Sequence, residues 1–190
     1  MKFFTKSILV AFTISMALTV QAQTSSYGNC NYNKQTVADI TCYGTATIID
    51  STVTGTINVF GPLTMTNVTA NDVIVKGPLT MTYASVNDIE VKGPLNVNSS
   101  TVKGLASVDG PVEATRSTFE KDVFSASNFV MLSSSQVVGK VTEKSSDEKA
   151  ILKMTDKSII SGNVEFSGQT GQVILDSQSK VMGTVINGTK

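Results

Sequence analysis

The sequence predicts an all-β chain: a right-handed parallel β-helix (β-solenoid) of about eight coils of 16–23 residues, with an N-terminal disulfide-bearing cap. Three observations predict it. Residues 61–76, GPLTMTNVTANDVIVK, return as GPLTMTYASVNDIEVK at 77–92, and GPL opens again at 93. A second signature, Ser-x-Val-x-Gly, starts at Ser51, Ser100, Ser135 and Ser179, with an Ile variant at Ser158. Ser, Thr, Val, Gly and Asn dominate a chain with 6% aromatic residues and no Trp or His, which favours strands and tight turns over helices.

In chain order, the first 22 residues read as an export signal. Lys2 and Lys6 form a positive start, Ile8 to Val20 an apolar run, and Val20-Gln21-Ala22 a small-x-small cleavage pattern of bacterial style. That run is shorter than the roughly 20 residues a membrane span needs, so a mature chain from Gln23 is expected to carry no transmembrane anchor. Without residues 1–22, which hold two lysines and no acid, 13 basic and 15 acidic residues remain, a net charge of −2. With Arg116 as its sole arginine, such a chain lacks the basic footprint of a nucleic-acid binder. The expected location is secreted or periplasmic.

Residues 23–43 are expected to cap the first coil. They hold both cysteines, Cys30 and Cys42, an even pair that in an exported chain reads as a disulfide. A metal site would need further ligands, and the chain has no histidine to complete a zinc shell.

From residue 44 to 190 the coil columns are read with each Gly as position zero. Gly61 leads to Leu63, Met65, Val68, Ala70, Val73 and Val75; Gly77 leads at the same offsets to Leu79, Met81, Ala84, Val86, Ile89 and Val91. Apolar residues in i, i+2 pairs with skipped positions describe short strands joined by corners, because a helical stripe would recur every three to four residues. A single coil cannot bury its apolar side, so copies must stack about 4.8 Å apart. Parallel crossovers are right-handed. The glycines suit a corner that needs either positive φ or close backbone approach, and Pro62, Pro78, Pro94 and Pro111 follow them at a turn position. Position seven is compact (Ser51, Val68, Ala84, Ser100, Ser117), as an inner bend demands. Thr64 with Thr80, and Lys76 with Lys92, are expected as exposed ladders.

Two places break the pattern. Residues 142–150, TEKSSDEKA, are expected as a charged loop, and long loops on rigid scaffolds often carry binding sites. The last coil ends in a parallel edge at Val181, Val185 and Ile186, and two readings stand equal: an open edge that invites pairing, or one that Lys180, Lys190 and the corner glycines blunt.

Catalytic chemistry is sparse. No Ser-His or Cys-His pair exists without histidine, and the glycines fall at coil spacing, not in a phosphate loop. The best acid–base cluster is Asp109, Glu113, Arg116, Glu120, Lys121 and Asp122. Asp72 and Asp88, beside Asn71 and Asn87, stack in the repeat; Asx turns explain them more simply than calcium does. No cofactor is called for.

In style, Ser-x-Val-x-Gly-x-Val and the Gly-Pro-Leu restarts over residues 44–190 resemble the short-coil β-helices of bactofilins, bacterial polymer-forming proteins. The resemblance implies end-to-end assembly and no active-site residue. The leading expectation is therefore a non-catalytic exported β-helix, acting as a structural, assembly or surface-interaction element. Its partners are further copies of itself or a cell-surface or envelope component. The alternatives are a carbohydrate-binding module or adhesin, using Thr64, Thr80, Lys76, Lys92 and the aromatics Tyr83 and Phe119, and a small polysaccharide-active enzyme using the 109–122 cluster.

Overall fold

The computed structural model describes residues 24–145 and 149–190, and the expected signal peptide lies outside them. These residues form a parallel β-solenoid without helix, built of a 10-stranded and a 17-stranded sheet. The smaller sheet takes one strand from each turn, which gives about ten turns and, at the strand spacing, a stack roughly 45 Å long.

The repeat at 77–92 shows how one turn is made. Leu79–Thr82 and Ser85–Val86 lie in the larger sheet and Ile89–Val91 in the smaller. Alternation places Leu79, Met81, Val86, Ile89 and Val91 inside. The Leu column runs in register, Leu63 on Leu79, Leu79 on Leu95, Leu95 on Val112, and every one of these side chains is buried. The interior is thus a set of apolar ladders, each turn closing the face of the next.

Three corners join the strands, and each solves a different backbone problem. At the Gly-Pro corner the glycine is required by close approach. A Cβ on Gly93 would lie 2.9 Å from the Gly77 carbonyl carbon, and its φ is not positive. Positive φ instead falls six residues on, at Lys34, Asp50, Asn67, Tyr83, Ser99, Arg116 and Ser134, none of them glycine. Each such residue costs about 1–2 kcal/mol in the left-handed region, so the next position must compensate.

It does so with a buried hydroxyl ladder. Ser100 N–H donates to Ser117 Oγ (3.2 Å), Ser117 N–H to Ser135 Oγ (3.1 Å), Ser135 N–H to Ser158 Oγ (3.1 Å) and Ser158 N–H to Ser179 Oγ (3.1 Å). Three of these hydroxyls also satisfy a carbonyl beside the bend: Ser117 Oγ–H donates to Thr115 O (2.8 Å), Ser135 Oγ–H to Ser133 O (2.8 Å) and Ser158 Oγ–H to Thr155 O (2.6 Å). The compact residues at position seven are therefore hydrogen-bonding elements as well as small ones. Val68 and Ala84 keep only the size.

At the third corner the loop holds two or three residues. Four of the three-residue loops are tied to the turn before them by a side-chain oxygen. Asp39 accepts from Thr56 N–H (2.8 Å), Asp88 from Leu105 N–H (2.6 Å), Asp122 from Lys140 N–H (2.9 Å) and Asn163 from Thr184 N–H (2.9 Å).

Residues 24–43 differ from a separate cap: they are turns of the same coil. Cys30 pairs with Ala46, Thr36 with Thr52 and Ile40 with Ile57, all parallel. This raises the turn count from the expected eight. The disulfide joins Cys30 to Cys42 across the interior, both buried, with 6.2 Å between Cα atoms. It closes the first full turn covalently. The expected charged loop is also shorter than 142–150, because Val141–Ser145 is a strand paired with Val164–Gly168. Its alternation turns Glu143 inward.

Candidate functional site

The expected assembly residues sit on the terminal turn. The strands Lys180–Val181, Val185–Ile186 and Gly188–Thr189 pair only with the turn below them. Val181 is 9% exposed, Val185 is half-buried, and Ile186 is exposed, as is Met182 at 72%. The apolar interior therefore reaches the surface here. Lys190 does blunt the edge in part, its Nζ donating to Val181 O at 3.4 Å.

The expected ligand residues do not share one face. Thr64 and Thr80 are exposed on the larger sheet, in a column with Thr47, Asn96 and Glu113. Beside it run Thr66, Thr82, Asn98 and Thr115. Tyr83 stands at the left-handed corner, 63% exposed. Lys76 and Lys92 lie across the Gly-Pro corner, where they are ion-paired: Lys76 with Glu90 at 3.8 Å, Lys92 with Glu90 and Asp109 at 3.2 Å each. The Asp109 hydrogen bond, then that of Glu90, raises the Lys92 ammonium above its ordinary value. Phe119 cannot stack on a sugar. It is a core side chain with 0% exposure, because the alternation of Thr118–Phe119 turns it inward.

The acid–base cluster is likewise dispersed. Asp109 precedes the Gly-Pro corner and pairs with Lys92. Arg116 sits at the left-handed corner and donates to Asn98 Oδ1 (2.9 Å) and Ser99 Oγ (3.2 Å). Asp122 holds the Lys140 amide at the third corner. Asp72 accepts from Asn87 Nδ2 at 3.3 Å, while Asp88 is a backbone tie, and no metal-holding group of three acidic, cysteine or histidine residues exists among the described residues.

Two surface features stand out from the ladders. A groove of about 280 Å³ runs along the stack, lined by Pro78, Pro94 and Pro111 together with Thr80, Asn96 and Glu113. At the other end, Tyr27, Tyr43 and Phe60 stack ring on ring, centroids 4.9 and 4.7 Å apart. Tyr27 is 82% exposed at the end of that stack. Comparison with family models, curated proteins and solved structures gives no match. The likeness to bactofilins thus stays one of coil style, and the residues above carry the functional reading alone. The aromatic stack was legible in principle: it occupies the position just before each corner glycine, where later turns place Lys76, Lys92 and Asp109.

Proposed function

We propose that the chain is an exported, non-catalytic structural rod that joins end to end, with further copies or with an envelope component. The single observation that carries this reading is the terminal turn, whose parallel strands and partly open apolar interior offer the next coil a template. A buried disulfide supports an oxidising compartment, secreted or periplasmic. The mature protein begins at Gln23 in this reading. Light scattering after size exclusion on the oxidised protein, over a concentration series with negative-stain images, tests it. Concentration-dependent oligomers or filaments are expected, and Val185→Lys, which puts a charge on the open interior, dissolves them. A strict monomer at every concentration removes the reading.

A second reading rests on the proline-lined groove. Apolar rings and hydrogen-bonding side chains repeat there together, once per turn, as an extended polysaccharide running along the stack needs. Binding on a glycan array that is lost in Asn96→Ala supports this carbohydrate-binding alternative; no binding to any extended glycan sinks it.

A further inference from the structure

One feature of the interior has no place in either reading. Glu143 is 0% exposed, and among the described residues neither carboxyl oxygen has a hydrogen-bond partner. It occupies a column of hydrocarbon: Val59, Val75, Val91 and Val108 precede it in register, then Ser125, and Phe166 follows. Ser125 gives it no help, since that hydroxyl is engaged with Gly110 O (3.0 Å) and Ser127 Oγ (2.9 Å).

No charge faces it. From Val123–Ser125 the inward residues are Val123 and Ser125; from Val164–Gly168 they are Val164 and Phe166. The opposite wall contributes Val130, Leu132, Ala150, Leu152 and Met154. The charged residues of these strands, Lys144, Lys153 and Glu165, lie on the outer side, Glu165 paired with Lys140 at 3.8 Å. Glu143 is the one charged-type residue buried among the described residues.

A carboxyl in such a place is neutral or it does not stay. Nor can it leave alone. Val141, Glu143 and Ser145 point inward together, so bringing one outward requires the strand to unpair from both neighbours or slip by a residue. We propose that the Val141–Ser145 turn is a proton-controlled latch: a neutral Glu143 holds it shut, and ionisation opens the solenoid locally between the Ser125 and Phe166 turns.

Burial pushes the Glu143 carboxyl from its ordinary 4.5 up to about 8. The sign follows from proton binding. Between those values the folded chain keeps a proton that the unfolded chain has lost, so the folding constant is greatest below about pH 4.5. It then falls up to tenfold per pH unit until about pH 8, and Glu143 adds no slope beyond.

Hydrogen exchange on the intact wild-type chain and on Glu143→Gln, from pH 6 to 9.5 and corrected for intrinsic rates, tests the latch. In wild type, protection of Val123–Ser125, Val141–Ser145 and Val164–Gly168 falls up to about tenfold per pH unit from pH 6 to about 8 and levels off above, whereas in Glu143→Gln it does not change with pH. Protection of the Cys30–Tyr43 turn stays level. The same pH profile in both proteins overturns the proposal. Should Glu143→Gln fail to fold, carboxyl carbon NMR on wild type decides: a Glu143 midpoint above 7 upholds the latch, and titration with the exposed carboxylates near 4 to 5 ends it. The readout lies inside the stack, so it does not depend on whether the ends assemble.

Discussion

Removing one hydroxyl from the interior ladder should cost far more than its size suggests. Ser117 Oγ accepts the Ser100 amide at 3.2 Å and donates to Thr115 O at 2.8 Å and Val97 O at 3.2 Å. In Ser117→Ala the Thr115 carbonyl keeps the Ser99 amide at 2.9 Å, so it remains satisfied. The Ser100 N–H loses its hydroxyl acceptor in a place water does not reach, since Ser100 and Ser117 are both buried. A buried donor left without a partner costs about 1–3 kcal/mol, so a loss of about 2 kcal/mol is expected. Equilibrium urea unfolding measures it as a lowered midpoint with an unchanged slope. Ser85→Ala, an outward serine on a neighbouring strand, is the control and should stay within about 0.5 kcal/mol. If the two variants lose equally little, the hydroxyl ladder is not what compensates the left-handed corner.

Other expectations follow from the same geometry. Reducing the Cys30–Cys42 bond, which spans 12 residues, should cost about 3 kcal/mol, read as a thermal midpoint lower with reductant than without. Gly93→Ala should destabilise by at least about 1–3 kcal/mol, since the added methyl meets the Gly77 backbone and no flexible side chain can yield; loss of soluble protein or a lowered urea midpoint reports it. Phe119→Ala should remove about 3–5 kcal/mol, against less than about 0.5 for Tyr83→Ala, a contrast that calorimetry resolves.

The stacked coil was legible because its inner columns repeat in kind. Leu63, Leu79 and Leu95 are alike in sequence and lie in register in space. The left-handed corner was hidden, since Lys34, Asp50, Asn67, Tyr83, Ser99, Arg116 and Ser134 have no side-chain chemistry in common. What they share is backbone conformation, and the trace of it lies one residue later, in the serines. The first turns lack Gly-Pro-Leu and so read in the sequence as a cap, although Tyr27-Gly28 and Tyr43-Gly44 already stand one coil apart. Outward alternation says that a side chain such as Thr80 or Lys92 is exposed, but not which of the faces it shares. Glu143 left no signal, because a carboxylate in a charged stretch reads as solvent-facing.

The disulfide-closed turn also bears on how the chain reaches its shape. Every strand pairs with one about a single turn away along the chain, at separations of 16 to 23 residues, as Thr24 with Ile40 and Ser133 with Thr155. Among the described residues no pairing waits for distant sequence, so turns can be added one after another onto a neighbour already in place. Among the described residues, the first turn is the one with no earlier turn to settle on. The Cys30–Cys42 bond fastens that turn to itself, making it a starting ring onto which the rest of the chain can wind as it arrives.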